Sequence, residues 1–154
     1  MLYERVRTLV ATVPGKSIVR RVLEEAFNQG NLTIVDELVA ADGISHHSSW
    51  GTPANRMGLK QLIAMFRTAF PDLSCIVEDV ITQDNKVAAH WKIRGTQTGI
   101  FLGNPPTNKP IVVQGLIYVC IENEQIIESW LMIDQMGVLQ QLGLVPPPLR
   151  RSSS

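Results

Sequence analysis

The chain has 154 residues, 45% hydrophobic and 18% charged, with 14 basic residues set against 14 acidic ones. That composition describes one globular domain able to bury a core without disulfides or metals, and it excludes a disordered chain. With no net charge and no Lys/Arg cluster interleaved with aromatics, nucleic acid is not an expected partner.

In chain order, Leu2–Val13 is weakly amphipathic and reads as an N-terminal extension or extra helix over residues 1–15. Its start lacks the long apolar core of a signal peptide, and no run approaches the roughly 20 apolar residues of a membrane span. The expected address is therefore the cytoplasm, with no membrane partner. Ser17 is placed to cap a helix in which Ile18, Val22, Leu23, Ala26 and Phe27 recur at helical spacing, and Gly30 closes it. A shorter helix is expected over Thr33–Ala40, followed by a loop over Asp42–Asn55. A third helix, from about Gly58 to Phe70, carries the stripe Leu59, Leu62, Ile63, Phe66 and Phe70, and Pro71 stops it. Arg67 and Asp72 flank that corner and are expected to fix it.

From Leu73 the period changes to that of strands. Leu73–Gln83, Val87–Gln97, Pro110–Ile121 and Ile126–Ile133 are rich in Val, Ile, Thr and aromatic residues. Short polar breaks at Asp84-Asn-Lys and Glu122-Asn-Glu-Gln predict antiparallel hairpins. A structured loop joins Ile100 to Lys109, and a last helix spans Met136–Leu142 before Gly143. The Pro-rich and Ser-rich end, residues 148–154, reads as a frayed tail. Helices followed by a four-stranded meander form the α+β pattern in which helices cover one sheet face.

Strand parity sorts side chains by face. Val87, Ala89, Trp91, Ile93, Gly95 and Gln97 share one face, opposite Ala88, His90, Lys92, Arg94 and Thr96. The strand over 111–121 is apolar on both faces and so needs two covers. One is the helical layer; the other is expected to be a second copy, giving a homodimer through the sheet face. Cys75 and Cys120 lie in apolar runs and read as buried hydrophobes, not as a disulfide or zinc site.

The runs Glu24-Glu-Ala-Phe-Asn-Gln-Gly-Asn-Leu, Phe66-Arg-Thr-Ala-Phe-Pro-Asp-Leu, Arg94-Gly-Thr-Gln-Thr-Gly, Glu128-Ser-Trp-Leu-Met-Ile-Asp and Leu139-Gln-Gln-Leu-Gly resemble the SnoaL-like polyketide cyclases over residues 16–147. The resemblance implies a nuclear transport factor 2-like (cystatin-like) cone, a curved antiparallel sheet around helices with an internal pocket. It also implies a frequent dimer and cofactor-free chemistry, such as aldol-type ring closure of an apolar carbonyl compound. Such a reaction needs a base near an acidic C–H and a dry cavity. The scaffold also serves dehydratases, isomerases, epoxide hydrolases and non-catalytic binders.

Asp134 matches the aspartate that the resemblance implies is the acid/base. On an extended strand it shares a face with Glu128, Trp130 and Met132. It also stands where a strand gives way to a helix, which is an N-cap position. Gln97 replaces the family's histidine; it can orient a carbonyl or a loop but cannot exchange a proton near neutral pH. His46 and His47, in the expected loop, are candidate helpers or a solvated pair, and adjacent histidines make no metal site without a third ligand. Trp50, Phe66, Trp91, Trp130 and Met132, with Met65, are candidates to line the pocket or fill the core. His90, beside Lys92 and Arg94, reads as a surface or dimer residue.

Overall fold

A computed structural model describes residues 14–47 and 50–149. The expected N-terminal helix and the end of the tail lie outside those residues. Helix α1 (Gly15–Arg20) runs directly into a π-helical segment, Arg21–Asn28. Pro14 precedes the first turn and its carbonyl accepts the Ser17 N–H at 2.9 Å, so Ser17 lies inside the helix and does not cap it. Ile18, Val19, Val22, Leu23, Ala26 and Phe27 form the buried stripe. Gly30 ends it with a φ of 68°, and a Cβ there would stand 2.8 Å from Arg67 Nε. Both the left-handed backbone and the close guanidinium demand glycine. The Arg67 guanidinium donates to the carbonyls of Phe27 and Asn28, and the Asn28 side chain bonds both backbone groups of Cys75. Arg67 thus ties the corner to the end of the first helical segment, and Asn28 ties that segment to the first residues of a strand.

Helix α2 (Thr33–Leu38) is shorter than the periodicity suggests, because Val39 opens a strand, β1 (Val39–His47). The sheet therefore has five strands in the order β1-β5-β4-β3-β2, not four. Strand β1 lies parallel to β5 (Gln125–Ile133), interrupted by a bulge between Val39 and Ile44. The run Ala40-Ala-Asp-Gly-Ile-Ser-His lacks the alternation that marks a strand. It is extended because β5 offers it a free edge, a tertiary cause invisible in local sequence. The remaining neighbours, β2 (Ser74–Gln83), β3 (Lys86–Thr96), β4 (Pro110–Glu122) and β5, pair antiparallel as the hairpin breaks require.

Helix α3 (Arg56–Ala69) begins two residues before Gly58, and Asn55 Oδ1 accepts the Gly58 N–H at 2.9 Å as its cap. It buries Leu59, Leu62, Ile63 and Phe66 against the inner sheet face. There Val87, Ala89, Trp91 and Ile93 are buried together with Ile111, Val113, Ile117 and Val119. Trp91 lies across the position of Gly115, where a Cβ would come within 2.0 Å of the indole. Asp72 Oδ1 accepts the Thr96 N–H at 2.7 Å, tying the end of β3 to the corner after α3. That bond holds the Asp72 carboxyl below its ordinary value.

Helix α4 (Gln135–Gln141) docks where β5 has run out. The Gln141 side chain donates to the Val112 carbonyl and accepts its N–H, at 3.0 and 2.8 Å, in place of a strand neighbour. Among the described residues no helix is long and apolar enough to cross a membrane.

Candidate active site

Asp134 is the hinge between β5 and α4. Its Oδ1 accepts the Gly137 N–H at 2.9 Å, an N-cap bond, while Oδ2 is left for other partners. The capping geometry holds the carboxylate at the positive end of the helix, where a negative charge is favoured. The expected parity holds, since Glu128, Trp130, Met132 and Asp134 share a face. That face is the outer one, turned away from the helices, because from Glu128 onward the buried members of β5 are Ser129, Leu131 and Ile133; Ile126, also buried, lies before the register shift against β4.

A depression of about 450 Å³ lies on this outer face, lined by His90, Gln114, Leu116, Met132 and Asp134 with the backbone around Gly115 and Ile133. Its volume falls within the range of small-molecule sites. Leu116 and Met132 give it apolar walls, and His90 and Asp134 are its titratable groups. His90 Nε2 lies 2.6 Å from Gln114 Oε1. With that oxygen accepting, the neutral ring donates through Nε2 and keeps Nδ1 as a base. A carboxylate and an imidazole on apolar walls can take up and return a proton. Parity along β3 marks His90 as a surface or dimer residue, and nothing local in the sequence marks Gln114. Antiparallel partners keep their faces, so pairing His90 with Leu116 and Leu116 with Met132 would have joined them to Asp134.

Gln97 is on the other face, fully buried. Its amide nitrogen donates to the carbonyls of Gly99, Asn104 and Pro105, at 3.1, 3.5 and 3.2 Å. Its oxygen accepts from the Thr107 N–H and hydroxyl, at 3.2 and 2.7 Å. All of its bonding capacity goes into the loop between β3 and β4. A neutral histidine, with one donor and one acceptor, cannot reproduce this set.

His46 is outer as well, stacked on Trp130 with ring centroids 5.1 Å apart, and its Nε2 lies 3.0 Å from Glu128 Oε1. Tyr118 packs on the same indole. The His47 backbone pairs with Leu131 in β1. Both histidines therefore belong to a strand, not to the expected loop. Trp50 meets Phe66 and Phe101, which with Phe70 form an aromatic cluster between the layers. The structure thus divides the candidates: Gln97, Trp50, Phe66 and Trp91 are inside, and Asp134, His46, Trp130 and Met132 are outside. Inside, Ser45 Oγ, Trp50 Nε1, Thr52 Oγ1 and Trp91 Nε1 are buried without a hydrogen-bond partner among the described residues. Burial pushes the Cys75 thiol up to about 12, so it is an inert hydrophobe at neutral pH.

The SnoaL-like polyketide cyclase family matches over residues 17–142. This chain belongs to that family. Solved structures agree in fold. IdmH of Streptomyces antibioticus, a candidate polyketide cyclase, is 29% identical with a TM-score of 0.72, covering 83% of this chain and 97% of its own. TsrD of Streptomyces laurentii is 21% identical with a TM-score of 0.75, covering 87% and 100%. AclR of Streptomyces galilaeus, a candidate hydroxylase, is 21% identical with a TM-score of 0.75, covering 88% and 84%. No curated protein matches the chain. The α+β class, with N-terminal helices on a mostly antiparallel sheet, is that of this SnoaL-like chain and of the nuclear transport factor 2-like fold.

Proposed function

We propose that this SnoaL-like protein performs acid–base chemistry without a cofactor on an apolar carbonyl compound, by aldol-type cyclisation or a related isomerisation. The observation that carries this reading is Asp134, anchored through one carboxylate oxygen, with the other available in an apolar depression that His90, two strands away, lines from the opposite side. The carboxylate takes the proton next to the substrate carbonyl and, as the new bond forms, that same proton is returned to the receiving carbonyl oxygen, relayed by Nδ1 of His90, whose Nε2–H is held by Gln114. The likeness to IdmH, over most of that protein's length, supports a carbonyl substrate. Gln97 takes no part in proton transfer, because its amide is spent on the loop.

The test is Asp134→Asn, since asparagine caps a helix as well as aspartate and removes only the charge. The measurement is exchange of the α-proton of an aryl β-keto ester for deuterium, followed by NMR. Wild-type protein should accelerate the exchange, and the variant should lose that acceleration while melting at the same temperature. Equal acceleration by both proteins would remove Asp134 from the mechanism.

A second reading, a binder that holds an apolar molecule between the layers without turning it over, is favoured by the orphaned donors Trp50 Nε1 and Trp91 Nε1. Buried donors of this kind gain most from an acceptor such as a carbonyl oxygen. A ligand quenching tryptophan fluorescence equally in wild type and Asp134→Asn, but not in Trp91→Phe, would favour this second reading.

A further inference from the structure

Basic groups are spread unevenly over the outer face. The outward residues of β3 are Lys86, Ala88, His90, Lys92, Arg94 and Thr96, with no carboxylate among them. Strand register sets part of this row against the depression. His90 is level with Leu116 and Met132, Lys92 with Gln114, and Arg94 with Val112. Residues two apart on a strand are separated by about 7 Å, so Arg94 stands that far beyond the level of Gln114. Val112, exposed in β4, continues the apolar surface of Leu116 toward it. The basic side chains differ in what occupies them. His90 Nε2 is held by Gln114 Oε1, and Lys92 Nζ lies 3.5 Å from Glu78 Oε1. Arg94 is exposed, and among the described residues nothing bonds or pairs with its guanidinium. Its strand neighbours, Ser74 in β2 and Val112 in β4, bring no charge.

We infer that Arg94 determines specificity at this site: the carbonyl compound taken up by Asp134 and His90 carries a carboxylate, which the Arg94 guanidinium holds at the end of the depression. The inference rests on the reading of Asp134 as the base and adds the charge of the substrate to it. A guanidinium offers a carboxylate two parallel N–H donors, so it fixes orientation as well as attracting charge. Its long stem can lean along the strand over Val112 while the head stays in water. The apolar walls, Leu116 and Met132, take the body of the molecule. An anion entering unaided would be repelled by the Asp134 carboxylate. Strand β3 lies two strand spacings, roughly 10 Å, from β5, so a substrate carboxylate held at Arg94 is neutralised and kept apart from Asp134. A neutral ester in the same place would leave the guanidinium without a partner.

Calorimetric titration with benzoylpropionate, an aryl keto acid, and with its methyl ester tests the inference. Wild type should bind the acid about fivefold more tightly than the ester at low salt, the scale of an exposed charge-assisted pair. The preference should shrink as salt is added. Arg94→Gln should bring the two dissociation constants close together, and Arg94→Lys should restore part of the difference, because the charge returns without the paired donors. In exchange of the α-protons for deuterium, Arg94→Gln should raise the half-saturating concentration of the acid with little change in the maximal rate, as loss of uniform binding requires. A wild type that binds both probes equally, or neither, would overturn the inference. So would a preference for the acid that survives in Arg94→Gln. Asp134→Asn separates the inference from the reading it rests on: that variant should keep the preference in binding while losing exchange. Exchange retained there removes Asp134 as the base, whereas a preference missing from wild type removes Arg94.

Discussion

The inner and outer faces of the sheet are built from alternate residues of the same strands, yet they treat polar groups in opposite ways. On the inner face Gln97 is fully buried, and every polar atom of its side chain is spent on the loop it closes. On the outer face Asp134 gives one oxygen to a helix cap and keeps the other, and His90 keeps a ring nitrogen. A buried amide must be satisfied to be tolerated, whereas an exposed group can leave bonding capacity unused at little cost. The inner face therefore organises the fold, and spare chemistry collects on the outer one.

Mutations can break this contrast, and the largest effect is expected at Trp91. Trp91→Ala should cost about 3–5 kcal/mol in urea unfolding, because the indole fills the layer above Gly115. A loss no larger than that of an outer-face Met132→Ala would mean the inner layer is loosely packed. Next, Gln97→Ala should cost about 1–3 kcal/mol by stranding loop carbonyls and the Thr107 donors. Amide exchange in residues 98–108 should rise with it, and unchanged protection there would contradict the loop-closing role.

A smaller effect sharpens the outer side. Asp134→Ala should destabilise by about 0.5–2 kcal/mol through the lost cap, while Asp134→Asn should be nearly neutral. Equal losses in the two variants would point to the charge, not the cap, as the stabilising element. The smallest effect concerns Asp72, whose carboxyl is held low mainly by the Thr96 N–H. A depressed folded value means that its contribution is complete above the unfolded value of about 3.8 and is lost as the pH falls through the lower folded one. The stability difference between wild type and Asp72→Asn should therefore shrink on acidification below about pH 4. A constant difference across that range would assign the loss to geometry alone.

The helices and four antiparallel strands were legible because each carries its own signal: a 3.6-residue stripe such as Leu59, Leu62, Ile63 and Phe66, or alternation such as Val87, Ala89, Trp91 and Ile93. The family was legible in motifs that lie along the chain. Strand β1 was not, because Ala40-Ala-Asp-Gly has no alternation and is extended only by pairing with β5. The π-helical turn at Arg21–Asn28 has no local signature either; it sits where Arg67 and Asn28 tie distant segments together.

For the candidate site, sequence alone determined which residues share a face, since parity along an extended strand is set by backbone geometry. It placed Asp134 with Trp130 and Met132, and Gln97 with Trp91. Which face each set occupies was decided only by tertiary structure. A strand apolar on both sides, like β4, carries no local mark of which side the helices cover. That choice follows from the total apolar area the helical layer can bury against one face. It put Gln97 inside, Asp134 and His90 outside, and so separated two residues that the motifs had brought together.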